Sequence, residues 1–350
     1  MRNRIKGHKQ KKSVFLKIGF FIILFFGILE IGLRQTNKLK TYSEKNFGNY
    51  QSPYSKTLGS HLLLWKKNDS FNIKQSEFSY RYVTNQYGIA DKHKLDTCKK
   101  ENTILVIGDS FVFGVGANQE SSLTSFLENK TNYTFINAGI PGSDPFFEVK
   151  LDKYLKNINY SKIIMLINFS DINDYIFRGG NERFLENGST QYRKAPWFEK
   201  FYQHSFIIRA FVNGVLKYDY TLLNPKMMIA EKKKAIQEYN KLLSSYNKTL
   251  RNNKQELLIV LQPYARQYAN NNKILSEVLN YEYLNKLEKE LTKYKVKTIN
   301  LNEEMNSVIN AENYLDYSWE IDGHYNAKGY EIMANSIIKE LEKNYPNFLE

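Results

Sequence analysis

The chain has 350 residues, 42% of them hydrophobic, which is enough to bury one sizeable core or two modest ones. Its single cysteine, Cys98, excludes an intrachain disulfide and a cysteine-based metal cluster. The net charge of +14 does not point to nucleic acid, because residues 1–17 hold seven Lys/Arg and no acid, half of that excess, and the remaining lysines alternate with Glu and Asp as on a solvated surface.

Arg2, Arg4, Lys6, Lys9, Lys11 and Lys12 form a basic tail over residues 1–13. Val14 to Leu33 follows, apolar except for Lys17 and Glu30 near its ends, and is long enough to cross about 30 Å of hydrocarbon as a helix. Its uncharged centre, Ile18 to Leu29, is also short enough for the h-region of a secretory signal peptide, but no small-x-small cleavage site follows. The favoured reading is an uncleaved transmembrane anchor over 14–33, with Lys17 and Glu30 snorkelling to the interfaces. Basic residues ahead of the span keep the N-terminus cytoplasmic, so the remainder is expected outside the cytoplasm as a single-pass membrane protein.

Residues 34–100 read as a stalk and N-terminal extension, with a strand near Tyr80 to Thr84, a turn at Gly88 and a Lys-rich loop from Lys92 to Lys100. From residue 101 the pattern changes to alternating strands and helices. Ile104–Ile107, Tyr133–Asn137, Lys162–Ile167, Glu256–Leu261 and Lys297–Leu301 are short apolar runs of the kind that parallel strands buried on both faces require. Helices are expected over Ser121–Asn129, Phe146–Asn157, Ala230–Arg251, Leu279–Tyr294 and Tyr330–Asn344. Right-handed crossovers then build a three-layer α/β/α sandwich around a five-stranded parallel sheet over residues 101–350. An aromatic-rich insertion at about 175–227 interrupts it, where Phe201, His204, Ile208 and Phe211 recur at helical spacing and read as a packing face or as a pocket lid.

The chemistry-bearing residues collect where strands end. Ile104–Ile107 runs into Gly108-Asp109-Ser110, and loops at the carboxyl ends of strands form the ligand crevice of an open α/β sheet. Ser110 is read either as a helix cap or as a nucleophile. A serine hydroxyl attacks a carbonyl poorly unless an imidazole takes its proton and an acid orients that imidazole. His324, with Asp322 two residues earlier, supplies both, whereas His8, His61, His93 and His204 have no evident acid or nucleophile beside them in sequence. The oxyanion formed on attack needs preorganised donors, for which the Ser110 and Gly142 N–H groups and the Asn173 side chain are candidates. One Cys and scattered histidines give no zinc spacing, Gly108, Gly114 and Gly116 do not fit a dinucleotide loop, and Val112 breaks the Gly-x-Ser-x-Gly elbow. No metal or cofactor is therefore expected.

These blocks resemble the SGNH or GDSL-type serine esterase family. Gly108-Asp109-Ser110 matches its first block, Asn137-Ala-Gly-Ile-Pro-Gly142 its glycine block, Asn173-Asp174 its Asn-Asp block and Asp322-Gly-His324 its last. The resemblance implies a flavodoxin-like sheet, a triad of Ser110, Asp322 and His324, an oxyanion hole of Ser110, Gly142 and Asn173, and supporting roles for Asp109 and Asp174. Thr84-Asn85 to Gly88 is similar to an upstream motif of membrane-anchored members, although Ile89-Ala90 replaces its usual Phe-Arg. The spacing Asp-x-His, in place of the commoner Asp-x-x-His, looks like that of members acting on cell-surface polysaccharides, with Ile321 at the usual acid position and Glu320 a weaker alternative.

The functional expectation is a serine esterase that cleaves O-acyl esters, acetyl above all, on a cell-envelope or extracellular glycan. A polysaccharide O-acetyltransferase would use the same triad, with a multi-span acyl-transporting membrane protein as donor partner, and a catalytically silent glycan-binding or assembly protein would keep the fold alone.

Overall fold

The computed structural model describes residues 2–36, 38–41, 44, 57–58, 64–191, 193–218, 222–263 and 281–349. His61, Tyr192 and the expected start of a helix at 279–280 lie outside the described residues.

The chain divides into two compact units, Met1–Thr57 with Gln191–Ala230, and Leu58–Thr190 with Glu231–Glu350. This differs from the expected division at residue 101. The second unit takes in the antiparallel hairpin β1 (Ser70–Lys74) and β2 (Ser79–Val83), because β2 turns Tyr80 and Tyr82 inward to a cluster with Phe78, Ala90 and Phe113. Tyr82 stacks on Phe113 at 4.6 Å and Phe71 stacks on Trp65 at 4.5 Å, so the segment read as a stalk is part of a core.

The second unit is built on a five-stranded parallel sheet of β3 (Thr103–Gly108), β4 (Thr134–Gly139), β5 (Lys162–Asn168), β6 (Glu256–Gln262) and β7 (Lys297–Asn300), in the order β4-β3-β5-β6-β7. That is the flavodoxin-like order, and its direction reverses between β3 and β5. All six residues of β3 are buried, as a strand covered on both faces must be. Ile104 and Val106 face a core with Leu123, Leu127, Tyr330, Met333 and Ile337 from helices α3 (Leu123–Lys130) and α10 (Ala327–Asn344). Other helices that flank the sheet are α2 (Ser110–Phe113), α4 (Pro145–Tyr154), α5 (Phe169–Arg178), α8 (Pro225–Asn252), which belongs to this unit from Glu231 onward, and α9 (Tyr281–Lys293). Close approach matters where α2 crosses the sheet end: a Cβ at Gly139 would collide with the backbone of Phe113.

In the first unit α1 runs from Arg2 to Gln35, and its stretch from Val14 to Gln35 is long and apolar enough to cross a membrane. The insertion forms α6 (Glu199–His204) and α7 (Phe206–Val215), separated by Ser205, whose hydroxyl caps α7. The break resets the helical phase. Phe201, His204 and Phe211, expected on a packing face, are exposed, whereas Tyr202, Arg209 and Val212 are buried. Arg209 pairs with Glu44 at 2.7 Å. The Glu30 carboxylate, near the end of the apolar stretch of α1, accepts the N–H groups of Phe206 and Ile207 at 2.9 and 3.0 Å and the Ser205 hydroxyl at 3.0 Å.

Candidate active site

Ser110 is the first residue of α2, immediately past the end of β3 and beside the point where the strand order reverses. The cap is Asp109, whose carboxylate accepts the Phe111 N–H at 2.9 Å, so Ser110 is left free for other work. Gly108 permits the sharp strand-to-helix passage, since a Cβ there would stand 2.5 Å from Val112 Cγ2. The N–H of Ser110 lies in the first turn of a helix, where no intrahelical acceptor exists.

Across the crevice, the turn before α10 carries the other partners. His324 Nε2 stands 2.7 Å from Ser110 Oγ, and His324 Nδ1 is hydrogen-bonded to Asp322 Oδ1. With Nδ1 donating to the carboxylate, Nε2 is free to accept the serine proton. The turn is closed by the Trp319 N–H to the His324 carbonyl and the Gly323 N–H to the Trp319 carbonyl, each 2.9 Å, with Gly323 at φ +86. The Phe111 ring covers the imidazole at 4.9 Å between centroids.

Glu77, in the β1–β2 turn, carries no signal in the sequence. Its carboxylate accepts the N–H groups of Ile321 and Asp322 at 2.8 to 3.0 Å, so the hairpin grips the acid-bearing turn from outside. Phe78 next to it packs on Trp319 at 5.2 Å, and the indole N–H of Trp319 donates to the Gly116 carbonyl at 2.9 Å.

The expected oxyanion donors are placed less directly. Gly142, at φ +72, lies in the loop after β4, where Ile140 N–H and Ser143 Oγ both donate to the Gly108 carbonyl at 3.0 Å, and a Cβ on it would meet the Arg178 guanidinium. Asn173 stands on the second turn of α5, half-buried, and among the described residues no hydrogen bond joins it to Ser110 or His324. Asp174 faces Arg178 at 3.7 Å, and burial, with Asp109 and Asp144 nearby, raises its carboxyl to about 6 against the pull of that cation. The carboxamide tied to the Ser110 loop is instead Asn168, the last residue of β5, whose Nδ2 donates to Asp109 Oδ2 at 2.8 Å. Ser170, in the first turn of α5, adds a 3.3 Å bond to the same oxygen. Counting from the end of the β5 apolar run, rather than from the Asn-Asp pair, would have found both.

Beneath the crevice lies a buried acidic group. Burial pushes the Asp109 carboxyl up, opposed by the donors from Phe111, Asn168 and Ser170 and by His324. Burial pushes the Glu148 and Asp171 carboxyls well above the ordinary carboxylate value, with neighbouring carboxylates adding to it. Glu148 Oε1 lies 2.9 Å from Ser143 Oγ, and Asp144 pairs with Arg183 at 2.6 Å. Among the described residues no group of His, Cys, Asp and Glu is arranged to hold a metal.

No family profile and no curated protein matches the chain. Its fold is similar to that of a lipolytic protein of the G-D-S-L family from Desulfitobacterium hafniense, at 12% identity over 68% of this chain and 98% of that one, with a TM-score of 0.42. A G-D-S-L lipolytic protein from Veillonella parvula is similar at 14% identity, over 68% of this chain and 96% of that one, with a TM-score of 0.41. An acetyl-xylooligosaccharide esterase from Geobacillus is similar at 12% identity, over 71% and 97%, with a TM-score of 0.39. These are likenesses of shape at low identity, and the chemistry is argued from the site itself.

Proposed function

We propose that the chain is a serine esterase of the SGNH type that works through an acyl-Ser110 intermediate. One observation carries the reading: Ser110 Oγ, His324 and Asp322 form an unbroken hydrogen-bonded relay at the carboxyl ends of β3 and β5. His324 Nε2 takes the proton of Ser110 as its oxygen attacks the ester carbonyl, then returns it to the leaving alcohol. The resulting oxyanion is met by the Ser110 N–H, with the Gly142 N–H and the Asn173 amide as the further donors expected on substrate binding. Water resolves the acyl-enzyme in the esterase; a sugar hydroxyl in its place makes the same site an O-acetyltransferase.

The substrate proposed is an O-acetylated envelope or extracellular glycan. It is supported by the apolar helix Val14–Gln35, read as a single membrane anchor with a cytoplasmic N-terminus, which would hold the site at the cell envelope. Release of p-nitrophenol from p-nitrophenyl acetate by the full chain in detergent tests the reaction. Turnover should fall by about 10³-fold or more in Ser110→Ala. Equal turnover in that variant would overturn the proposal.

A further inference from the structure

We infer that α7, together with the exposed aromatic residues ahead of it, is an interfacial helix that lies on the lipid surface beside the α1 span. The inference rests on the anchor reading and is independent of the chemistry at Ser110.

The position of α7 is set by α1. Glu30, on the penultimate turn of the apolar stretch Val14–Gln35, closes the start of α7 by accepting the Phe206 and Ile207 N–H groups, and Arg34 one turn later donates to the His204 carbonyl at 2.6 Å. Arg34 also pairs with Glu30 at 2.9 Å and stands 5.1 Å above the Phe206 ring. A span beginning at Val14 uses about 20 residues to cross the hydrocarbon, so Glu30 and Arg34 fall at its far boundary. No residue from Val14 to Leu29 is buried, as lipid contact requires. α7 therefore starts at the depth where hydrocarbon gives way to headgroups.

Its surface suits that depth. Val212 and Arg209 turn inward, Val212 to a small core with Tyr202 and Leu222 and Arg209 to Glu44, while Phe211 and Val215, one turn apart, face outward at 52% and 66% exposure. Trp197 is 84% exposed and Phe201 58%. Isolated exposed apolar residues are ordinary, but Trp and Phe gathered at the end of a span match the aromatic belt of a membrane interface. Lys194, Lys200 and Lys217 are exposed in the same segment and offer cations to anionic headgroups. The occupant that fits an apolar face rimmed by lysines at the end of a span is the bilayer itself.

The test uses the full chain with Cys98→Ser, labelled with the fluorophore NBD at Phe211→Cys or at Phe21→Cys and reconstituted into phosphatidylcholine–phosphatidylglycerol vesicles. The proposal expects both labels to emit blue-shifted light, to lose intensity to doxyl-labelled phosphatidylcholine, and to resist aqueous iodide. Val215→Cys should behave as Phe211→Cys does, which guards against misfolding of one variant. A lipid-quenched label at 21 with labels at 211 and 215 open to iodide would overturn the interfacial helix and leave the anchor standing. A label at 21 that the lipid does not quench would bring down the anchor reading and the inference together.

Discussion

The two arms of the Ser110–His324–Asp322 relay are held in opposite ways. Ser110 stands on a buried frame in which Asp109 is 2% exposed and ties the β3 turn to Asn168 at the end of β5. Asp322 and His324 keep 29% and 21% of their side-chain surface and depend on Glu77, at the turn of the β1–β2 hairpin, for the shape of their turn. Ser110 is thus positioned by the same core that stabilises the sheet, and the Asp322–His324 arm by the carboxylate of one half-buried residue, Glu77, at the turn of the hairpin. Changes to the first arm should cost stability and activity together, and changes to the second should cost activity alone.

Asp109→Ala probes the buried arm. It strips the Phe111 N–H and the Asn168 amide of their acceptor inside the protein, and unsatisfied buried donors together with a lost cap cost about 3 kcal/mol. Thermal unfolding should show that loss and ester turnover should fall with it; an unchanged midpoint would end the claim that the core carries this arm. Glu77→Gln probes the exposed arm. A neutral amide holds the Ile321 and Asp322 N–H groups less firmly, so kcat should drop roughly tenfold, with KM and the melting midpoint near their starting values. Loss of stability in place of turnover would assign the hairpin a structural role only.

The smallest effect tests a contact remote from both arms. His93, read from the sequence as having no acid beside it, lies between Asp91, two residues earlier, and Glu128 at 2.9 Å each, and although burial opposes its charge, the two carboxylates raise it to about 9 from 6.5. A folded-state value above the unfolded one adds stability that is complete below about pH 6.5 and fades as pH rises through about 9. His93→Gln should therefore lose about 1 kcal/mol at pH 6, a figure discounted for partial exposure, and close to nothing at pH 10. A deficit that grows with pH would reverse the assignment.

What could be read ahead of the structure follows from how local each cause is. The five strands were legible because burial on both faces demands unbroken apolar runs, and Ser110, Asp322 and His324 because each sits at an abrupt end of such a run or helix. Helix starts were read late where a cap acts. Asn326 begins α10 three residues ahead of Tyr330 by accepting the Gly329 N–H, and Pro225 opens α8 well before Ala230. Glu77 was beyond reach, since its partners lie 244 and 245 residues away. The insertion misled because Ser205 ends one helical phase and begins another, so spacing across it carried no meaning.

The central claim is that Ser110 is the nucleophile, activated by His324. A fluorophosphonate probe on the folded full chain, followed by peptide mass spectrometry, tests it most directly. The account predicts a single adduct on Ser110 that forms far more slowly in His324→Ala. An adduct on another residue, or equal labelling of Ser110 without His324, would contradict it.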